Sequence, residues 1–304
     1  MTALQEIEET VVGAAEAAGP SVVGIGQRWG RGSGVVVAEG RVLTNAHNVR
    51  GDRVEVTFAD GRTVEASVAG MDRDGDLAIL SVDTAEAPAV AWAEESVPRP
   101  GSAVIGLSNP GGRGLRVSFG LVSGTERAFR GPRGRRISGS IEHTAPLPRG
   151  SSGGPIVDEQ GRLLGINTSR SGDGFYLAIP ADASLRERIE ALGRGDAAPA
   201  PRLGVGIAPA FVARRLRRAV GLPEMDGLLV RAVEDDSPAE RAGIEAGDLI
   251  VEAGGRSVAS ADDLFEALDQ AGAGGTLSLK VVRGTEERSV SVDLAGSGPV
   301  AERA

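Results

Sequence analysis

The segment Gly150-Ser151-Ser152-Gly153-Gly154-Pro155 sets serine hydroxyls between glycines. Flanking glycines let the backbone turn tightly so that a hydroxyl projects, and they leave amide N–H groups unobstructed to receive an oxyanion. That is a pattern for acyl transfer through a serine, and it is also what a plain Gly/Ser loop looks like in a chain with 45 glycines. A serine hydroxyl attacks a carbonyl only when a base takes its proton, and histidine is the usual base. The chain has two histidines and no cysteine, so imidazole chemistry has two addresses and thiolate chemistry none. His47 follows the apolar run Val42-Leu43-Thr44-Asn45-Ala46, where a side chain can project into a cleft or simply sit at a surface. Asp76 heads the run Leu77-Ala78-Ile79-Leu80, where it can orient an imidazole or end the turn that holds Asp72, Asp74 and Gly75. His143, in Ile141-Glu142-His143-Thr144, reads as structural or rim-exposed on a strand.

The elements that must position these groups are mostly strands. Leu4, Ile7 and Val11 recur at helical spacing in an Ala- and Glu-rich stretch that ends near Gly19-Pro20, which predicts a short N-terminal helix over 1–19. From Val22 the period drops to two, with short Val/Ile/Leu runs separated by Gly, Asp and Asn turns. Such runs occur at Val35 to Val37, Val42 to Thr44, Val54 to Phe58, Thr63 to Val68, Ala103 to Leu107 and Leu115 to Ser123. They continue at Ile137 to Glu142, Gly153 to Val157, Leu163 to Thr168 and Phe175 to Ile179, and Asp60-Gly61 is a hairpin signal. Many short strands with turn residues between them predict a sandwich or barrels. Leu185, Ile189 and Leu192 then share a helical face, and 193–201, rich in Gly, Ala and Pro, reads as a linker. Beyond it, strands at Gly227 to Ala232, Leu249 to Ala253, Leu277 to Val282 and Glu287 to Leu294 mix with helical stretches Ala210 to Val220 and Ala261 to Ala271. That is a compact α+β module, and 304 residues suit two domains.

Composition narrows the partners. Acidic residues outnumber basic ones 42 to 33, for a net charge of −9, which disfavours nucleic acid and anionic lipid. Lys280 is the only lysine, and the arginines are scattered without interleaved aromatics. Without cysteine, and with two separate histidines, no metal or cofactor site is expected. No apolar run reaches the ~18 residues of a membrane span. Residues 1–20 carry Glu6, Glu8, Glu9 and Glu16 and no basic residue, unlike a signal peptide, so a cytoplasmic location is the expectation at face value.

In order along the chain, Thr44-Asn45-Ala46-His47, Asp76-Leu77-Ala78-Ile79-Leu80, Gly150-Ser151-Ser152-Gly153-Gly154-Pro155, Gly165-Ile166-Asn167-Thr168 and Ala178-Ile179-Pro180 closely resemble motifs of the HtrA/Deg serine proteases. Leu203-Gly204-Val205, Ser237-Pro238-Ala239, Ala242-Gly243-Ile244, Gly247-Asp248-Leu249-Ile250 and Val282-Arg283-Gly284 resemble a bacterial PDZ domain. The resemblance implies a mainly β fold, with a chymotrypsin-like double β-barrel protease domain over 20–192 and a small α+β PDZ domain over 202–296, then a tail over 297–304. It implies His47 as general base, Asp76 as its orienter and Ser152 as nucleophile, with an oxyanion hole from the backbone of Gly150, Ser151 and Ser152. Such a site asks for a Ser152–His47 and a His47–Asp76 hydrogen bond. In the PDZ domain it implies a peptide groove made by Leu203, Gly204, Val205, Gly206 and Ile207 and by the helix carrying Leu264 and Leu268, which read equally as core.

The resemblance thus implies an ATP-independent serine endopeptidase that acts on unfolded or regulatory proteins, binds C-terminal peptides and needs no cofactor. The alternative is a non-proteolytic, chaperone-like binding protein with an incompetent triad. Relatives are commonly exported homotrimers joined through aromatic residues near the start of the protease domain, where this chain's first aromatic is Trp29. Family members usually have Asp-Ala-Ala-Ile-Asn-Pro-Gly-Asn-Ser where this chain has Thr144-Ala145-Pro146-Leu147-Pro148-Arg149-Gly150-Ser151-Ser152. Pro146 and Leu147 predict an apolar pocket that takes Val, Ala or Leu before the cut bond. Arg130, Arg133, Arg135 and Arg136 fall in a loop that reads as solvated, and Arg214, Arg215, Arg217 and Arg218 read as an exposed helix face.

Overall fold

A computed structural model describes residues 2–26, 32–93, 98–131, 136–172, 174–195, 201–272 and 274–295. Trp29, the arginines at 133 and 135, most of the expected linker and the expected tail lie outside the described residues. The chain divides into two compact units, Met1–Ala197 and Ala198–Ala304.

The first unit opens with helix α1, Ala3–Ala18, started by a capping box in which the Thr2 side chain and Gln5 satisfy each other's backbone N–H groups. Its Ala14 and Ala18 are buried against the body of the unit. Two closed six-stranded barrels follow. The first comprises β1 (Val22–Ile25), β2 (Gly32–Ala38), β3 (Arg41–Thr44), β4 (Arg53–Thr57), β5 (Thr63–Asp72) and β6 (Leu77–Ser81). The second comprises β7 (Ala103–Ser108), β8 (Arg116–Arg130), β9 (Arg136–His143), β10 (Pro155–Val157), β11 (Leu163–Ser171) and β12 (Phe175–Pro180). The hairpin expected at Asp60-Gly61 joins β4 to β5, with Gly61 at φ +87° and β4 residue Val56 paired to Val64. Helix α2, Ala183–Arg194, is capped by the Asp182 carboxylate on the Leu185 N–H and ends on left-handed Gly195.

With aromatics at 3% of the chain, the cores are built from branched aliphatics. Val23, Ile25, Val36, Val42, Val56 and Leu80 fill the first barrel around Phe58, and Val104, Val122, Ile141 and Ile156 fill the second. A third cluster, including Leu43, Leu77, Ile79, Ile105, Leu107, Leu163 and Ile166, runs between them and under α1. Each such side chain contributes about 1.5–3 kcal/mol when fully buried. With no disulfide available, this packing and the cross-barrel hydrogen bonds described below hold the two barrels in register.

The second unit is a sheet in the order β13-β14-β15-β17-β18, formed by β13 (Val205–Ala208), β14 (Leu228–Val233), β15 (Leu249–Ala253), β17 (Thr276–Arg283) and β18 (Glu286–Asp293), with β16 (Arg256–Ser257) paired to β15. Helices α3 (Ala210–Ala219), α4 (Pro238–Arg241) and α5 (Ala261–Ala271) pack on it. One sequence expectation fails here. Arg217 of α3 is 4% exposed, not on a solvated face, because its guanidinium reaches the carbonyls of Pro223 and Gly284. Arg214 and Arg218 do stay at the surface, paired to Asp226 and Glu224.

Candidate active site

His47 lies in a single 3-10 turn, Ala46–Asn48, directly after β3, and Asp76 stands immediately before β6, the strand that pairs with β3. Thr44 pairs with Ala78 in that ladder, so the ends of the two strands carry the imidazole and the carboxylate to the same rim. Asp76 is 1% exposed and sits at φ +54°, an uncommon backbone for a residue with a side chain, held by the Asn45 side-chain amide donating to its carbonyl at 2.9 Å. Its carboxylate accepts from the His47 backbone N–H at 3.2 Å, and both oxygens lie 2.9 Å from Nδ1 of the His47 ring. The Thr168 hydroxyl donates to Asp76 Oδ2 at 2.6 Å. A carboxylate so placed is positioned to accept from Nδ1–H, an arrangement that leaves Nε2 as the ring nitrogen able to take a proton.

Ser152 comes from the other barrel, on the loop between β9 and β10. Its carbonyl accepts from the Ser33 N–H at 2.8 Å and from the Asn48 side-chain amide at 2.9 Å, both in the first barrel. Thr44 Oγ1 donates to the Ser33 carbonyl at 2.7 Å and accepts from Asn48 at 3.1 Å, completing the clasp. The approach is close: a Cβ at Gly153 would lie 2.1 Å from the Ser33 carbonyl oxygen, and one at Gly32 2.2 Å from the Asn48 amide. The expected His47–Asp76 bond is therefore formed, but the expected Ser152–His47 bond is not. Ser152 Oγ donates instead to the Thr168 main-chain carbonyl at 3.1 Å.

The turn before Ser152 has a defined type. The Ser151 N–H donates to the Pro148 carbonyl at 3.3 Å, and Gly150 stands at φ +87°. An i to i+3 bond with left-handed glycine at the third position is a type II turn, the orientation that turns the central peptide N–H outward. The Gly150 carbonyl is held by Ser33 Oγ at 2.9 Å, which in turn accepts from the Asn109 N–H at 3.0 Å. Gly150 and Ser152 line the same cleft, and neither N–H has an acceptor among the described residues. Ser151 corrects the expectation: its N–H closes the turn, and its buried hydroxyl donates to Ser108 at 3.0 Å. Thr144, where relatives carry Asp, bonds through its hydroxyl to the Leu121 N–H at 3.0 Å and so pins β8 to the start of the loop.

The cleft measures about 470 Å³ and is lined by 147–152, by Asn167 to Arg170 and by Tyr176. Leu147 lies in the lining, as expected; Pro146 is exposed and outside it, because the chain leaves β9 with that ring turned to solvent. His143 is wholly buried, not at a rim, with Nε2 2.9 Å from Asn167 Oδ1 and its ring stacked on Tyr176. Burial pushes its pKa below the ordinary 6.5, against the Asn167 bond, which acts to raise it. Asn167 in turn grips the nucleophile segment: its N–H and side-chain amide both donate to the Gly154 carbonyl, and its carbonyl accepts from Gly153.

Sequence reasoning did not single out Ser33, Asn48, Asn167 or Thr168 for these roles. Their signals were a serine between glycines in Gly32-Ser33-Gly34 and polar residues interrupting apolar strands, as Asn167-Thr168 does after Gly165-Ile166. In the second unit, Leu203, Leu264 and Leu268 are each 2% exposed and belong to its core, which corrects their placement in a peptide groove. Val205 and Ile207 of β13 and Phe265 of α5 are only partly buried, and β13 is a sheet edge. Among the described residues no cluster of metal-ligating side chains occurs, and no helix is long and apolar enough to cross a membrane.

Known proteins agree with this layout. Residues 32–166 match a trypsin-like peptidase domain and residues 201–294 a PDZ domain. A DegP-like periplasmic serine endoprotease of Halomonas elongata is 32% identical over 275 residues, which is 88% of this chain and 57% of that protein. The serine protease HhoA of Synechocystis sp. is 34% identical over 280 residues, 88% of this chain and 71% of its own length. The chain thus spans little more than half of some of these relatives. Among solved structures, the HtrA-type protease AlgW with a decapeptide is similar with a TM-score of 0.70 at 25% identity, covering 95% of this chain and 99% of that one. A serine endoprotease from Yersinia pestis is similar with a TM-score of 0.66 at 27% identity, covering 94% and 97%. With two closed barrels whose loops carry His47, Asp76 and Ser152, a matching peptidase domain and a matching PDZ domain later in the sequence, the chain belongs to the HtrA/Deg family of serine endoproteases.

Proposed function

We propose that this chain is an ATP-independent serine endopeptidase that cleaves unfolded or regulatory proteins through an acyl-enzyme. His47, Asp76 and Ser152 are its triad, and the Gly150 and Ser152 N–H groups form its oxyanion hole. The observation that carries this reading is the Asp76 carboxylate locked on Nδ1 of His47 beside a serine whose loop is already in the oxyanion-binding turn. Catalysis begins with a change of partner for Ser152 Oγ, from the Thr168 carbonyl to Nε2 of His47. Oγ then attacks the scissile carbonyl while its proton passes to Nε2, and the two N–H groups receive the oxyanion. The imidazolium, facing Asp76, returns the proton to the leaving amine, and water repeats the sequence in reverse to free the acid.

The PDZ unit supplies substrate capture, with a hydrophobic C-terminal peptide adding to the edge strand β13. Leu203-Gly204-Val205-Gly206 would receive its carboxylate, since Gly204 at φ +77° bends the chain there and a Cβ on it would lie 2.4 Å from Ser237. Relatives named as periplasmic support an exported location over the cytoplasmic one that the N-terminal composition suggested.

The alternative, a binding protein without turnover, draws on one observation: Ser152 Oγ faces Thr168 and not His47. A fluorophosphonate probe separates the two, because it reacts only with a serine whose base is engaged. We expect labelling and casein hydrolysis by the wild type and neither by Ser152→Ala. Cleavage retained in that variant would falsify the triad assignment, and an unlabelled, inactive wild type would favour the binding protein.

A further inference from the structure

The cleft beside Ser152 has two walls and a bridge between them. Leu147 to Ser152 form one wall and Asn167 to Arg170 the other. Tyr176 of β12 spans them: its hydroxyl accepts from Arg170 Nη2 at 2.8 Å and donates to the Leu147 carbonyl at 3.4 Å. The Arg170 guanidinium carbon lies 5.2 Å from the centre of the Tyr176 ring, in cation–π range. A phenol tied at both sides closes the pocket to large side chains and holds the guanidinium in place.

The charge in that pocket is one-signed. Arg149 stands on one wall and Arg170 on the other, both exposed, and no carboxylate lies among the described residues of the lining. Neither arginine forms an ion pair among the described residues, although surface arginines elsewhere, such as Arg53, Arg214 and Arg218, do. Tyr176 engages Nη2 of Arg170, and the guanidinium has further N–H donors for a ligand. Arg170 is two residues along β11 from Thr168, whose carbonyl meets Ser152 Oγ, so its Cα stands about 7 Å along the strand from that of Thr168.

We propose that this cleft receives the side chain preceding the scissile bond and selects a carboxylate there, Asp or Glu, with Arg170 as the specificity-determining residue. The proposal rests on the protease reading above and names its substrate class. It replaces the aliphatic preference expected from Leu147 and Pro146, which saw one wall only; the wall built by β11 and β12 brings the cation. A substrate Arg or Lys meets like charge, and an aromatic side chain meets the Tyr176 bridge. A carboxylate gains charge-assisted bonds from a guanidinium that Tyr176 has already oriented.

The test uses the full chain and a peptide series that differs only in the residue before the cut: Asp, Glu, Ala, Val, Leu or Arg. In the wild type we expect kcat/KM for Asp or Glu to exceed that for Ala about 10-fold, and the preference to shrink as salt is raised. Arg170→Ala should bring the acidic-to-Ala ratio near one, and Arg170→Glu should turn it toward Arg. Ratios within one preparation do not depend on the folded fraction, so a partly unfolded variant still reports. A wild type that prefers Ala, Val or Leu, or an Arg170→Ala variant with an unchanged ratio, overturns the proposal alone. A wild type that neither cleaves nor labels with fluorophosphonate overturns the protease reading, and this proposal with it.

Discussion

Ser152 Oγ donates to the main-chain carbonyl of Thr168 at 3.1 Å, so the proposed nucleophile is held by the residue whose hydroxyl binds Asp76 at 2.6 Å. Thr168 therefore touches both ends of the proposed triad, one through its backbone and one through its side chain. Only the side-chain bond can be removed by substitution.

Thr168→Val keeps the shape of the side chain and deletes the donor to Asp76. A hydrogen bond to a charged group contributes about 1.5–3 kcal/mol, so kcat/KM should fall roughly 10- to 100-fold. Thr168→Ser restores the hydroxyl and should recover most of the loss. Equal activity in the Val and Ser variants would show that the Asp76 bond does not position the base.

Gly150 carries the left-handed residue of a type II turn at φ +87°. Alanine there favours a type I turn, which reverses the central peptide and removes its N–H from the hole. Losing one such donor costs about 10²–10³ in kcat. We expect Gly150→Ala to show that loss with KM little changed and with the melting temperature near the wild-type value. A variant that keeps wild-type kcat would mean the oxyanion is bound elsewhere.

His143 is buried with Nδ1 unpartnered, and the Asn167 amide, which donates to the Gly154 carbonyl at 3.0 Å, presents its oxygen to Nε2. Burial favours the neutral ring, so the folded pKa lies below 6.5. Between 6.5 and that lower value the unfolded chain takes up a proton that the folded chain does not. Stability is therefore fully present above 6.5 and declines as pH falls through the window. The melting temperature of the first unit should drop from pH 7.5 toward acid, and His143→Gln should flatten that limb. A wild-type limb with the same slope as the variant's would assign the acid sensitivity to another group.

Much of this was legible in the sequence because short-range chemistry dictates it. The alternating runs gave most barrel strands, and Asp60-Gly61 gave its hairpin, since period and turn residues are local. The motifs around His47, Asp76 and Ser152, through the family they resemble, implied one site, and the His47–Asp76 bond is formed there. What was not legible depends on groups distant in the chain. Arg217 reads as one more arginine on a charged helix, until Pro223 and Gly284 supply buried carbonyls for it. Pro146 was misplaced for the same reason, since it adjoins Ser152 in sequence while Arg170 and Tyr176 come to line the cleft only through the β11–β12 pairing. Leu203, Leu264 and Leu268 illustrate a further limit: apolar residues at helical or strand spacing do not announce whether they face a core or a groove.

Asp248 of the second unit is 1% exposed and paired side-on with Arg283, whose Nε and Nη2 reach its two oxygens at 2.7 and 2.9 Å. Burial pushes its pKa up, but the Arg283 bonds, the Glu245 N–H and the arginine charge outweigh it and hold the carboxyl below its ordinary 3.8. The stability this supplies is present above 3.8 and is lost as pH falls through the folded value. Asp248→Asn should destabilise the unit at neutral pH by about 1–3 kcal/mol and reduce its loss of stability in acid. Hydrogen exchange of β15 and β17 in the full chain reads both effects. Unchanged protection at neutral pH would make the pair energetically idle.

The correction at Leu203 changes how peptide binding by the PDZ unit must be tested. Leu203→Asp puts a charge among Leu228, Val230 and Leu264 and should unfold the unit, so a loss of binding there reports nothing about a groove. The partly buried side chains Ile207, on the edge strand, and Phe265, on α5, are the informative positions. Phe265→Ala should weaken binding of a peptide ending in Val or Leu about 3- to 10-fold, measured by fluorescence anisotropy, while circular dichroism shows the unit still folded. Amidation of the peptide's terminal carboxyl should weaken it further, because the Leu203-Gly204-Val205-Gly206 loop then has no anion to receive. Affinity indifferent to both changes would place the peptide site away from β13 and α5.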